Sequence, residues 1–184
     1  MHELFRAAAR VLLGCSFCGV AAAQSAAPAQ VAYYLGEVRM SSPAGQLLGA
    51  SVSLVRRTLL PAENRVIEVV ASIDPVKPVR EYTTVFAVNG SRFAMKDEEG
   101  TFTGEGEFSG KPWEWTGWKY EVAFTGQSKG RLQGEDVVSA TGLSVKKSFS
   151  SADGVVRMLF TEELKPVTKA VYDVLRARLV ADKK

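Results

Sequence analysis

The chain has 184 residues, with 23 basic and 20 acidic side chains and a formal net charge of +3 at pH 7. This length suffices for one domain with a substantial core, and the small excess of positive charge does not indicate a nucleic-acid partner. The single histidine, His2, and the two cysteines, Cys15 and Cys18, all lie near the N-terminus.

Residues 1–23 have the three-part pattern of a bacterial signal peptide. A basic start with Arg6 and Arg10 is followed by an apolar stretch at 11–20 and by a small-residue cleavage site that ends at Ala23. The apolar stretch is shorter than the roughly 20 residues that a permanent membrane anchor needs. The sequence therefore predicts a periplasmic or secreted protein that is cleaved near this site and has no transmembrane span.

Cleavage would leave a mature chain without histidine or cysteine. Such a chain has no Ser-His-Asp triad, no cysteine nucleophile and no imidazole or thiolate metal site. We therefore expect no metal and no cofactor. Any enzyme activity would have to depend on carboxylate, lysine, tyrosine or arginine side chains.

The segment Leu12-Leu13-Gly14-Cys15 leaves one alternative open. It resembles the lipobox of bacterial lipoproteins, in which the cysteine is lipidated after cleavage. Arg10 would then stand inside the apolar region and leave only a few apolar residues before Cys15. Lipidation would tether the protein to a membrane surface instead of releasing it.

Residues 24–30 are interpreted as a linker, and residues 31–184 as a single domain. Short β-type runs recur in this domain at roughly 10-residue spacing, with turn residues between them, which is typical of an all-β sandwich or barrel. Asn89-Gly90 and Asp153-Gly154 are strong hairpin signals that predict antiparallel neighbours. The predicted strands are 31–40, 50–60, 65–73, 80–88, 92–96, 101–108, 113–125, 130–139, 143–149 and 155–163.

Alternation along the strands separates an inner from an outer face. In the 113–125 run, Trp118, Tyr120 and Phe124 share one face, while Lys119 and Glu121 share the other. We therefore expect the aromatic face to point inward. The charged outer face argues against a lipid-embedded barrel, which needs an apolar outer band.

The pattern changes from strand to helix at the C-terminus. Pro166 can start a helix at its first turn, where its missing N–H costs nothing, and apolar residues then recur at spacings of three and four. These residues are Val167, Ala170, Val171, Val174, Leu175 and Leu179. The spacing predicts an amphipathic helix over 167–180 that packs on the sheet exterior or caps one end. The predicted fold is therefore an all-β, antiparallel up-and-down barrel of about 8–10 strands with a C-terminal amphipathic helix.

The densest aromatic cluster is the series Trp113, Trp115, Trp118 and Tyr120. It can form the wall of a ligand cavity, or it can simply pack in the core and beneath the helix. Strict alternation separates the first two residues from the last two, whereas a bulge at Gly117 would bring all four inward.

Charged side chains provide the other candidates. Lys147 shares a face with apolar residues, so it either enters the interior, where it needs an anionic partner, or reaches water from an edge strand. Glu105 and Glu107 lie on one face and can divide acid and base roles, or they form a solvated edge. The adjacent acids Glu162 and Glu163 are interpreted as solvent-facing or as lying near the start of the helix.

The meander order, the number of runs, the aromatic strand around 113–124 and the helix after Pro166 resemble the calycin-type barrels. These comprise the lipocalins, the fatty-acid-binding proteins and their bacterial exported relatives. The resemblance concerns the fold and covers residues 31–180. It implies a barrel whose interior holds one small, largely apolar ligand.

Three hypotheses follow. The first is an exported, soluble, non-catalytic protein that binds a small hydrophobic or amphipathic molecule in a barrel cavity. The second is a structural or interaction module of the cell envelope with a packed core and no ligand. The third is a histidine-free enzyme that uses carboxylates, lysine or tyrosine. The residues expected to contact a ligand are Phe86, Trp113, Trp115, Trp118, Tyr120, Phe124 and Lys147.

Overall fold

The computed structural model describes residues 28–73, 79–110, 113–114, 116–124 and 130–181. The predicted signal peptide, including Cys15, lies outside the described residues, and so does Trp115.

Ten antiparallel strands form a closed barrel in which each strand pairs with its neighbours in the chain, and β1 closes the ring against β10. The strands are β1 (Gln30–Ser41), β2 (Leu47–Leu60), β3 (Arg65–Ile73), β4 (Arg80–Asn89), β5 (Arg92–Asp97), β6 (Phe102–Phe108), β7 (Gly117–Phe124), β8 (Gly130–Ser139), β9 (Gly142–Ser151) and β10 (Val156–Pro166). This order confirms the predicted antiparallel barrel. A short 3-10 turn at Pro61–Glu63 joins β2 to β3.

Two glycines explain a tight turn and the close approach of an aromatic ring to the inner wall. Gly90 adopts a φ of 61° in the turn between β4 and β5, a conformation that favours glycine. On the inner wall, the ring of Tyr120 lies directly over Gly134, where a β-carbon would overlap it. The missing side chain at this position thus makes room for an aromatic ring inside the barrel.

The 113–125 run does not form a strand over its whole length. Trp113 lies in a turn, and β7 begins only at Gly117. Gly117 pairs with Val137 in the regular register of β7 and β8, so the described residues contain no bulge there. The turn takes Trp113 out of the alternation that the sequence predicted for the run.

One end of the barrel is filled by apolar side chains. Phe93, Phe108, Val66 and Leu143 lie next to the strand ends at that side and are at most 8% exposed. The rings of Phe93 and Phe108 pack with their centroids 4.9 Å apart. This packing closes the end at which β2–β3, β4–β5 and β8–β9 are connected.

A helix, α1 (Lys169–Ala181), packs on the outside of the barrel over β1, β2 and β3. Tyr172 is 2% exposed, and its ring centroid lies 4.9 Å from that of Tyr33. The exterior position was one of the two expected, but the predicted apolar stripe was wrong for Val171 and Val174, which are 45% and 53% exposed. The helix begins two residues later than the predicted 167, and it turns Tyr172 instead of these valines towards the sheet.

Candidate functional site

A cavity of about 800 Å³ occupies the barrel interior beyond the packed end. Aromatic side chains from three strands, β4, β6 and β7, line much of its wall: Tyr82, Phe86, Phe102, Trp118, Tyr120 and Phe124. Tyr82 lies on the inner face of β4 and is nevertheless 42% exposed, since it borders open space. The lining also includes Glu99 and Thr101, so the cavity extends to the end of the barrel at which β5 and β6 are connected.

The structure brings five of the seven predicted site residues together. The aromatic residues Phe86, Trp118, Tyr120 and Phe124 line the cavity, and so does Lys147. Trp113 is not among the lining residues: it is half-buried and packs against the apolar core. It does so because the turn before β7 directs it there.

Arg57 crosses the interior from β2 to the opposite wall. Its guanidinium carbon lies 4.3 Å from the centroid of the Trp118 ring on β7, a cation–π contact. Its Nε donates to Oε2 of Glu68 on β3 over 2.8 Å. Its Nη2 also lies 3.9 Å from Oδ2 of Asp136 on β8. Arg57 therefore joins four strands of the barrel from the inside.

Lys147 and Glu162 form a second internal ion pair, with 2.6 Å between Nζ and Oε1. Burial by itself lowers the pKa of Lys147, but the surrounding negative groups, Tyr120 when ionised, Glu162 and Asp136, outweigh it and raise this pKa well above the usual value. Lys147 therefore stays protonated at neutral pH and acts as a fixed cation, not as a nucleophile.

The position of Glu162 corrects the sequence interpretation. The residue is 9% exposed and faces the interior, whereas Glu163 is exposed and accepts a hydrogen bond from the Ser144 hydroxyl over 2.9 Å. Adjacent strand residues point to opposite faces, so one acid of the pair had to enter the barrel.

The charge of Asp136 is only partly compensated by its described neighbours. It is 5% exposed, it lines the cavity, and its buried Oδ1 has no hydrogen-bond partner within the described part of the chain. Burial raises the pKa of Asp136 to about 7, against the opposing attraction of Lys147 and Arg57. The carboxyl group therefore gains or loses its proton near neutral pH.

The two tyrosines at the cavity wall retain their protons. Burial is the main cause that raises the pKa of Tyr82, and it raises that of Tyr120 well above the usual value. Both hydroxyl groups are therefore neutral, and each can donate or accept a hydrogen bond.

Glu105 and Glu107 lie on the outer face of β6 and are exposed. The barrel wall separates them from Lys147, so the carboxylate pair and this lysine do not meet in one cleft. Among the residues that the structure describes, no group of three or more acidic, histidine or cysteine side chains could hold a metal ion.

Among the described residues, sequence reasoning missed four of the five charges in the deep part of the cavity: Arg57, Glu68, Asp136 and Glu162. A usable signal was present, because each has at least one apolar residue two positions away on the same strand face. Val55 and Leu59 flank Arg57 in this way, for example. The same pattern made Lys147 a candidate for the interior, and applying it to every strand would have made the others candidates too.

No protein-family model matches the chain, and no curated protein is detectably similar to it in sequence. Within the described ranges, none of the helical structure is both long and apolar enough to cross a membrane. The closed antiparallel barrel of ten strands is compatible with a calycin-like fold.

Proposed function

We propose that this chain is an exported binding protein that holds a small hydrophobic or amphipathic molecule inside the barrel. The observation that carries the proposal is the cavity of about 800 Å³. Binding pockets for small molecules have volumes of roughly 300–1,000 Å³ and combine apolar walls with a few polar groups. A structural module with a filled core would have no use for such a space.

The composition of the lining supports the same proposal. Aromatic rings such as Phe86 and Trp118 provide a wall for an apolar body, and the two internal ion pairs provide polar contacts at defined positions. Lys147 is protonated and close to Glu162, so the cavity offers recognition more readily than nucleophilic chemistry. This favours a binding role without catalysis.

Native mass spectrometry of the protein expressed with its N-terminal segment tests export and occupancy together. We expect a chain that begins at Gln24, accompanied by a heavier species that carries a small molecule and loses it on collisional activation. A chain that begins at a lipid-modified Cys15 would instead identify a membrane-tethered protein. A chain that keeps residues 1–23 in a secreting bacterial host would refute export.

A cavity-filling substitution tests the binding site itself. Leu132 lines the cavity on β8, and its neighbour Gln133 is exposed on the outer face. Leu132→Trp should reduce binding of an apolar fluorescent probe by about tenfold or more, since the indole occupies the space of the ligand. Gln133→Trp adds the same side chain outside and should leave probe binding unchanged. Equal binding by both variants would place the probe elsewhere.

A further inference from the structure

The deep part of the cavity holds more negative than positive side chains. Its cations are Arg57 and Lys147, and its carboxylates are Glu68, Asp136 and Glu162. Arg57 lies closest to Glu68 and Lys147 closest to Glu162, so each cation is already engaged by a glutamate. The Asp136 carboxylate is the one in excess.

The excess continues towards the open part of the cavity. Asp97 and Glu99 are found there among the described lining residues, together with Arg80. Burial by itself raises the pKa of Asp97, but hydrogen bonds from the Thr101 hydroxyl and the Phe102 N–H outweigh it and lower this pKa, so the carboxylate is ionised. A ligand that enters from this side thus passes through a negative potential.

The aromatic wall adds an attraction of the same sign. The faces of aromatic rings carry partial negative charge and bind cations, most strongly where water is excluded. Tyr82, Phe86 and Tyr120 lie on the wall of the same cavity as the internal carboxylates. The contact of Arg57 with Trp118 shows that this interior already holds one cation against a ring.

The same interior disfavours the binding of a fatty acid. Its carboxylate would need a cation, and both deep cations are occupied by glutamates. It would also add a negative charge to an interior in which carboxylates are already in excess, where the low dielectric constant strengthens the repulsion.

We propose that the cavity takes a positively charged amphipathic molecule of the alkylamine type and discriminates against fatty acids of the same length. The ammonium group would lie among Glu68, Asp136 and Glu162, with the apolar chain directed towards Phe102 and Phe124. This inference rests on the proposed binding function and specifies the chemistry of its ligand.

Competition against a neutral fluorescent probe, N-phenyl-naphthylamine, tests the inference with decylamine, decanol and decanoic acid at about pH 8. We expect decylamine to bind about tenfold more tightly than decanol, since one charge interaction in a shielded site has about this effect. We expect decanoic acid to bind more weakly than both. Decylamine that binds no better than the alcohol or the acid would overturn the inference alone, whereas a probe that does not bind at all would overturn the binding function.

A pair of neighbouring substitutions locates the effect. Asp136→Asn removes the excess internal charge, and Glu135→Gln removes a charge from the exposed outer face of the same strand. The internal variant should lose about tenfold in affinity for decylamine and none for decanol. The external variant should bind decylamine as the wild type does. Retention of the full amine preference by a folded Asp136→Asn protein would overturn the proposal.

Wild-type protein provides the same test if the variant does not fold. The charged and titratable groups that face Asp136 are Arg57 on β2, Glu68 on β3, Tyr120 on β7, Lys147 on β9 and Glu162 on β10. Because the pKa of Asp136 is about 7, lowering the pH to about 6 neutralises mainly this carboxyl group. The preference for decylamine over decanol should then fall. A preference that stays constant between about pH 8 and pH 6 would contradict the inference.

Discussion

Replacement of Asp136 by asparagine should stabilise the barrel, and the gain should grow with pH. The pKa of Asp136 is about 7 in the folded protein, against 3.8 for an unperturbed carboxyl group. The folded state therefore binds a proton that the unfolded state has already released between these two values. Unfolding is consequently favoured as the pH rises through this window, and the loss of stability is complete only above pH 7.

The magnitude follows from the separation of the two values. A difference of about three pKa units lowers the free energy of unfolding by about 4 kcal/mol at a pH above 7. Near pH 5 the loss is only about 2 kcal/mol, because the carboxyl group of the folded state is still protonated there. Asparagine has nearly the same shape and no charge, so it avoids this penalty. The stability gain of the variant should therefore be about 2 kcal/mol larger at about pH 8 than at about pH 5.

Urea unfolding followed by tryptophan fluorescence measures this difference on ligand-free protein. Glu135→Gln is the matched control, because Glu135 is exposed and its ion pair with Lys119 spans 3.6 Å at the surface. Pairs of this kind contribute roughly 1 kcal/mol or less, and the control should follow the wild-type pH profile. Parallel profiles of the wild type and Asp136→Asn would refute the reasoning, since the buried carboxyl group would then titrate as it does in the unfolded chain.

Three further substitutions address other parts of the structure. Gly134→Ala should destabilise the barrel by about 1–3 kcal/mol in urea unfolding, because the new methyl group displaces the Tyr120 ring; an unchanged midpoint would show that the ring moves freely. Tyr172→Ala should cost about 3 kcal/mol or more and expose the helix amides to hydrogen exchange; retained protection would show that other contacts hold the helix. Lys147→Met should lower the free energy of unfolding by about 3 kcal/mol, because it leaves Glu162 unpaired. Adding Glu162→Gln to this variant should recover part of that loss in the same assay. A double variant whose loss equals the sum of the two single losses would argue against a coupled pair.

Much of the fold could be predicted from the sequence because strand structure depends on residues that lie close together in the chain. The alternation of Trp118, Tyr120, Val122 and Phe124 with charged residues has a period of two, which identifies both the strand and its inner face. The turn between β4 and β5 could also be predicted, since Gly90 supplies the positive φ that the turn requires. Local rules also made Lys147 a candidate for the interior, although they left an edge position open as the alternative.

Properties that depend on contacts between residues far apart in the chain could not be predicted from local sequence patterns. The helix illustrates this, because the predicted apolar stripe included Val171 and Val174, which are exposed, and left out Tyr172, which is buried. Contact with the surface of β1–β3 decided which side of the helix is buried. Trp113 is a second case, since a turn before β7 removed it from the alternation of the strand.

The sequence by itself therefore determined the antiparallel strands, their order and the inward-facing aromatic residues of β7, because each depends on neighbours within a few positions. Only the tertiary structure decided that Arg57 meets Glu68, Asp136 and Trp118, and that an open cavity remains beside them. Closure of ten strands brings β2 opposite β7 and β8, and no pattern of neighbouring residues predicts which strands face each other across the barrel. The excess internal carboxylate, on which the proposed choice of ligand depends, exists only once the ring is closed.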